Sequence, residues 1–300
     1  MKRLVLQNVF KQYADKVAVN GISFEVEQGE IYGLLGANGA GKTTTMRMIL
    51  GLIYHDKGSI LYNGQTYSKA LLNDFGYLPE ERGLYPKIKV GEQLNYLAQL
   101  KGMKASDADK EIKYWLERFG VPENYNKKVE ELSKGNQQKI QFVSAIVHRP
   151  TYIIMDEAFS GLDPVNVELL KETVKELRDN GSTIVFSTHR MEHVEELCKN
   201  ISILHKSNQV VKGNLKEIRN QFPKEKVFLA TAGQVTGIEA INGVEHVKQN
   251  ENGLEIKISK EKAAKDILQH AISQTEVTHF EIKAPTLNEI FIRTVGENNE

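Results

Sequence analysis

The run Gly36-Ala37-Asn38-Gly39-Ala40-Gly41-Lys42-Thr43-Thr44 sets a lysine and two hydroxyls directly behind a glycine-rich stretch. Glycine, four residues, then Gly-Lys-Ser/Thr is the spacing of a phosphate-binding loop. Glycines let successive backbone amides close around the β- and γ-phosphates of a nucleotide, and a following helix adds partial positive charge at its N-terminus. Lys42 adds a full charge, the Thr43 hydroxyl can ligate Mg²⁺, and Asn38, Ala40 and Thr44 complete the candidate nucleotide contacts. Further along, Tyr152-Ile153-Ile154-Met155-Asp156-Glu157 is an apolar run ending in two carboxylates. Asp156 would hold Mg²⁺ through water, and Glu157 would polarise the water that attacks the γ-phosphate. An apolar strand ending in acids is ordinary by itself. The phosphate loop upstream turns it into a candidate hydrolytic centre.

These groups need a frame. The spacing predicts a strand over Ile31–Leu35 feeding the loop and a helix from about Lys42 to Leu50 leaving it, closed by Gly51. Strand patterns also stand at Leu4–Phe10, Ile22–Glu27, Tyr152–Met155, Thr183–Ser187 and Ile201–Leu204. Their alternation with helical periods predicts an α/β fold with a parallel-sheet core. Between about Val90 and Val147 only helical signals occur: Gly91–Lys101, then Ser106–Phe119 with Ser106 as N-cap and Gly120-Val121-Pro122 as stop. This block, about residues 85–150, is expected to be a helical subdomain inserted into the core. Within it, Ser133 is placed to cap a helix over Lys134–Val147, and Gly135 allows close backbone approach, which makes that N-terminus a second anion site. Met191–Lys199, carrying Cys198, has a helical pattern as well.

Beyond about Leu215 the pattern changes. Val227–Thr231, Val244–Lys248, Leu254–Ile258 and Val277–Lys283 have strand patterns, with Asn252-Gly253 as a turn. Glu261–Ser273 has a helical one, and Thr286-Leu287-Asn288-Glu289 is a capping box opening a last helix to about Val295. The expected division is therefore a nucleotide-binding domain over residues 1–215 and a small α+β domain over 216–300, joined through Gly213–Pro223.

Composition narrows the partners. The chain's 300 residues suit two domains, and its 39 Lys plus Arg cancel its 39 Asp plus Glu. That neutrality removes the basic excess behind non-specific phosphate-backbone binding and argues against a nucleic-acid partner. The apolar runs fall far short of the roughly 20 residues that cross a bilayer. Met1-Lys2-Arg3, followed at once by strand-like Leu4–Asn8, has no secretory-signal pattern. A single cysteine, Cys198, forms no internal disulfide, fits a reducing cytoplasm, and is expected to be a plain packed or surface thiol.

Leu132-Ser133-Lys134-Gly135-Asn136-Gln137, lying between the phosphate loop and the acidic strand, resembles the signature Leu-Ser-x-Gly-x-Gln of the nucleotide-binding subunits of ATP-binding-cassette (ABC) transporters. The resemblance covers roughly the first 215 residues and implies a P-loop NTPase cassette with an antiparallel β subdomain beside the parallel core. It implies ATP and Mg²⁺ as ligands, and nucleotide contacts from Gly36 to Thr44 and from Ser133, Gly135 and Gln137. Tyr13 lies where the family places an aromatic residue that stacks on adenine; as a residue alone it fits a surface or core tyrosine equally. Ser160-Gly161-Leu162-Asp163 resembles the loop that meets the opposite subunit, and Asp163 also suits an N-cap before Pro164. His189 matches the family's switch histidine at the γ-phosphate. One departure concerns the residue after Phe75-Gly76-Tyr77-Leu78-Pro79: the family usually has Gln there and this chain has Glu80. A carboxylate at that place can bind Mg²⁺ directly or take a proton, whereas an amide ligates only through its carbonyl; the alternative is a solvated acid beside Arg82.

The stretch Pro79–Pro86 resembles a branch of ABC exporters that includes sodium-efflux ATPases and others linked to drugs or peptides. Pro285–Val295 is similar to the accessory domain ending many of them. The resemblance implies a head-to-tail dimer, a homodimer of this chain, in which Ser133 and Gly135 of one copy close on ATP held by Lys42 of the other. It also implies a separate integral membrane subunit, received at Leu84, Tyr85 and the helical block, and a position on the cytoplasmic face of the cell membrane. A soluble ABC ATPase working on ribosomes or DNA is the rival expectation, weakened by the single phosphate loop, the absence of a heptad insertion and the neutral charge. A small-molecule P-loop kinase is a further one, disfavoured by Glu157 and the signature.

Overall fold

The structure, a computed structural model, describes residues 3–81 and 83–297; Arg82 and the Met1-Lys2 start lie outside the described residues. Contacts divide the chain into two compact units, one ending at Asn214 and one beginning at Leu215. In the first, β1 (Arg3–Tyr13) and β2 (Lys16–Glu27) lead to β3 (Ile31–Gly36), α1 (Lys42–Ile49), β4 (Lys57–Tyr62), β5 (Gln65–Thr66) and β6 (Phe75–Leu78). Then come α2 (Val90–Leu100), α3 (Ala105–Arg118), α4 (Lys134–Ile146), β7 (Tyr152–Asp156), α5 (Pro164–Asp179), β8 (Thr183–Thr188), α6 (Met191–Leu197), β9 (Asn200–His205) and β10 (Asn208–Asn214). The second unit holds α7 (Leu215–Asn220), β11 (Lys226–Thr231), β12 (Val244–Asn250), β13 (Gly253–Ile258), α8 (Lys262–Gln274), β14 (Val277–Lys283) and α9 (Leu287–Glu297).

The strands of the first unit form one sheet among the described residues, ordered β5-β4-β1-β2-β10-β9-β3-β8-β7-β6. From β9 to β6 all pairings are parallel, β1, β2, β4 and β5 pair antiparallel with one another, and β10 joins the two parts, parallel to β2 and antiparallel to β9. Every residue of β3, β7 and β8 is buried, as expected of strands covered on both faces. Their C-terminal ends therefore open side by side at one edge, where the phosphate loop and both acidic residues emerge. Helices sit tightly on this sheet. A Cβ added at Gly33 would stand 2.8 Å from Val194 on α6, and one at Gly76 would stand 2.1 Å from the Ala145 carbonyl oxygen on α4. The second contact clamps the helix behind Ser133 against the strand that leads to Glu80.

Local signals explain the ends of several helices. Gly51 takes a left-handed φ of 67° and its N–H donates to Met48 O at 3.1 Å, while Leu52 N–H donates to Arg47 O at 2.9 Å. That pair of bonds satisfies the last carbonyls of α1. Gly120 and Val121 close α3 in the same way, on Glu117 O and Leu116 O. Ser106 is not a cap: α3 begins at Ala105 with Lys104 as the flanking residue, so Ser106 lies inside the first turn. Ala105 is a strong helix former and Asp107 suits the positive helix end, so the helix starts earlier than the serine indicates.

The antiparallel flank is larger than its apolar pattern. The first strand runs on to Tyr13 and the second begins at Lys16, although Lys11, Gln12 and Asn20 interrupt the periodicity. Bulges between Leu6 and Gln12 shift the register and hide the alternation.

In the second unit the sheet order is β12-β13-β11-β14, packed through Val227, Leu229, Ile256 and Ile258 onto Ala264, Ile267 and Ala271 of α8. The hairpin between β12 and β13 pairs Asn250 with Gly253, so Glu251 and Asn252 form the turn and Gly253 is already strand. A Cβ at Gly253 would meet the Leu229 carbonyl oxygen at 2.4 Å, which is the reason for glycine there. Thr286 and Glu289 cap α9 reciprocally, Glu289 N–H donating to Thr286 Oγ1 at 3.3 Å and Thr286 N–H to Glu289 Oε2 at 3.0 Å.

Candidate active site

Backbone conformation builds the phosphate loop. Gly36, Gly39 and Gly41 have φ of 148°, 79° and 107°. A Cβ at Gly36 would stand 2.4 Å from Leu204 O, and one at Gly41 2.5 Å from Ala18 O. The loop is thus wedged between neighbouring strands that no larger residue would let it approach. Lys42, 6% exposed, folds back under the loop and donates to Gly36 O at 2.7 Å and Ala37 O at 3.3 Å. Ala40 N–H closes a turn onto Ala37 O at 3.1 Å.

A cavity of about 330 Å³ opens in front of this loop. Asn38, Gly39, Gly41, Lys42, Thr43 and Thr44 form one wall, Asp156 and Glu157 the floor, Glu80 one rim, and Tyr13 with Lys16 and Ala18 the other. Tyr13 is half-exposed. Gly36 and Ala40 shape the loop from behind rather than lining the cavity.

The two carboxylates are held differently. Asp156 is buried; its Oδ2 accepts from Thr43 Oγ1 at 2.8 Å and its Oδ1 accepts from Ser187 Oγ. A hydroxyl and a carboxylate already in contact are the hard oxygen donors that Mg²⁺ prefers, with remaining positions left to water and phosphate. That donor set fits the ion. Glu157 adopts a left-handed φ of 51°, which turns its side chain off the strand direction and into the cavity. Its Oε2 lies 3.0 Å from His189 Nδ1 and accepts from Thr188 Oγ1 at 3.3 Å, while its Oε1 is buried without a hydrogen-bond partner. Burial, with the Asp156 charge adding to it, pushes the nearby Tyr77 phenol up.

Other predicted residues lie outside the cavity lining. Ser133 accepts from Asn136 N–H at 3.2 Å as the N-cap of α4, and the space around Gly135 is open, its nearest neighbour being Leu162 Cδ2 at 4.0 Å from an added Cβ. Gln137 turns inward and donates to Leu132 O at 3.0 Å and Val129 O at 3.1 Å, so it braces the signature loop. Asp163 caps α5, and hydrogen bonds from Asn166 hold its carboxyl below the usual range. Between Glu157 and Asp163, Phe159 is locked edge-on against Phe186 and stacked on His193 at a 4.9 Å centroid distance. Gln141 of α4 reaches across to Pro79 O and Glu81 O at 3.2 and 2.9 Å, which ties the Glu80 loop to the signature helix.

Four site residues escaped the sequence reading. Lys16 and Ala18 line the cavity from β2, and a lysine on a mixed strand carries no signal of its own. Ser187 and Thr188 hold the acids from β8. Their signal was present: adjacent hydroxyls closing a fully apolar run, both fully buried or nearly so at 0% and 3% exposure.

The family described as ABC transporter matches residues 19–160, and the one described as the C-terminal domain of DrrA1-3-like ATP-binding proteins matches residues 213–295. An uncharacterized ABC transporter ATP-binding protein of Bacillus subtilis is 50% identical over 293 residues, 98% of each chain. A Nod factor export ATP-binding protein of Burkholderia lata is 37% identical over 210 residues, 69% of each chain. Among solved structures, the ATP-binding subunit of an ABC transporter superposes with a TM-score of 0.69 at 32% identity, covering 73% of this chain and 92% of that one.

Proposed function

Because the chain belongs to the ATP-binding subunits of ABC transporters, we propose that two copies of it clamp two ATP molecules head to tail and drive a separate membrane subunit in export. Binding and hydrolysis of ATP, and work beside a membrane permease, follow from that membership. The observation that carries the dimer is the division of the site. Lys42, Thr43, Asp156 and Glu157 share one cavity, yet among the described residues none from Leu132 to Gln137 lines it. Ser133 and the open backbone at Gly135 are left facing outward, available to a nucleotide on a second copy. Identity of the two copies is the simplest arrangement, since each supplies both halves.

In this reading the loop amides and Lys42 take the β- and γ-phosphates, Tyr13 stacks on the base, and Lys16 adds charge at the cavity rim. Thr43 and Asp156, with Glu80 at the rim, would hold Mg²⁺, which when bound neutralises charge on the phosphate oxygens. Glu157 takes a proton from the attacking water through its carboxylate as the water oxygen bonds to the γ-phosphorus; the bond from the γ-phosphorus to the bridging oxygen breaks, leaving ADP and phosphate. His189 Nδ1 sits 3.0 Å from Glu157 Oε2 and orients the carboxylate. Export is supported by the relative named for Nod factor export. No described helix is long and apolar enough to cross a membrane; in this reading the membrane subunit holds the chain at the cytoplasmic face.

Affinity purification from a detergent extract tests this directly. Co-purification of an integral membrane protein is the expected result; recovery of ribosomes or DNA with no membrane protein overturns the transport reading.

A further inference from the structure

The structure assigns Thr188 a positioning role in hydrolysis: its hydroxyl, together with His189, pins Oε2 of the Glu157 carboxylate and so fixes the orientation of the group. This inference rests on Glu157 being the base. A carboxylate has two oxygens and turns easily about its last bond, so a base must be fixed before it can aim. Here the asymmetry is complete. Oε2 accepts from Thr188 Oγ1 at 3.3 Å and lies 3.0 Å from His189 Nδ1, while Oε1 is buried with no hydrogen-bond partner.

The direction of the Thr188 bond is fixed by its other neighbour. Arg190 N–H donates into Thr188 Oγ1 at 3.0 Å, and a backbone amide cannot accept in return. The single hydroxyl proton is therefore free for Glu157. Thr188 is 3% exposed, so no bulk water replaces it as donor. His189 has a side chain 58% exposed and is free to swing toward a phosphate; Thr188, at the end of β8, is not. When the histidine leaves, the threonine remains as the fixed point of the carboxylate. At 3.3 Å the contact is long, and catalytic hydrogen bonds of this kind tighten when substrate binds.

Thr188→Val keeps the shape and removes the donor; Thr188→Ala is the second variant should valine perturb folding. ATPase turnover with the membrane subunit present, and binding of a fluorescent ATP analogue, are measured for both. Losing a hydrogen bond to a charged group predicts a fall in kcat of roughly tenfold or more with analogue affinity unchanged, and recovery of most of it in Thr188→Ser. In a Glu157→Gln background the same valine substitution leaves the residual rate where it was. Wild-type turnover in Thr188→Val, or an equal fractional loss in the Glu157→Gln background, overturns the role of Thr188. Full activity in Glu157→Gln alone overturns instead the base on which it rests.

Discussion

Acidification should loosen the first unit through His148, at the end of α4. Its Nε2 lies 2.9 Å from Phe75 O on β6, and burial drives its pKa from 6.5 down to about 4. The folded pKa is the lower one, so as pH falls the unfolded chain takes up the proton first. The stability held by neutral His148 is complete above about pH 6.5 and is lost as the pH falls toward 4, where the loss levels off. A shift of that size corresponds to about 3 kcal/mol, about 2 kcal/mol of it already gone at pH 5. Urea unfolding of the wild type and of His148→Gln, from pH 7 to pH 4, isolates this contribution, because glutamine can still donate to Phe75 O but does not titrate. The wild type should lose about 3 kcal/mol more than the variant over that range. Parallel pH dependences in the two proteins would refute a buried neutral imidazole at this joint. The joint matters beyond stability, since α4 carries Ser133 and β6 leads to Glu80.

Ser187→Ala removes the donor to Asp156 Oδ1 and should raise the Mg²⁺ concentration for half-maximal ATPase by about tenfold or more, as loss of an outer partner of a metal ligand does. An unchanged Mg²⁺ titration would contradict that support. Gly41→Ala, whose Cβ would stand 2.5 Å from Ala18 O at a φ of 107°, should abolish binding of a fluorescent ATP analogue, while Gly39→Ala, strained at φ 79° but with open space, should only weaken it. Equal affinities in both variants would count against the close-approach explanation. Cys198 is buried and its thiol is pushed up by that burial, so it should stay unreactive toward a disulfide reagent in the native state and react once unfolded. Rapid native labelling would disprove its packing.

What was legible in the sequence is what chemistry constrains locally. Lys42 and Thr43 follow glycines at a fixed spacing, Asp156 and Glu157 end a fully buried strand, and Ser133 and Asp163 sit at helix starts whose caps they form. Those features are written within a few consecutive residues. Contacts made by sheet order are not. Asp156 and Ser187 become partners because β7 and β8 are neighbours in register, and no local pattern states that adjacency. Gly76 reads as a weak strand residue until α4 is laid over it. The strands β4, β5 and β10 have short, half-exposed faces that alternate too little to register as a period in the sequence. Lys16 opens β2, ahead of the Ile22–Glu27 pattern, and only the tertiary fold brings it to the cavity rim.

In the proposed function, Glu157 hydrolyses ATP held between two copies of the chain. Glu157→Gln with ATP and Mg²⁺ probes both halves of that statement, with molecular mass by light scattering and phosphate release measured on the same sample. Loss of a general base predicts turnover reduced by roughly 10²–10⁴-fold, together with an ATP-dependent dimer that persists because its nucleotide is not cleaved. Undiminished phosphate release, or a mass that stays monomeric at saturating ATP, would contradict it.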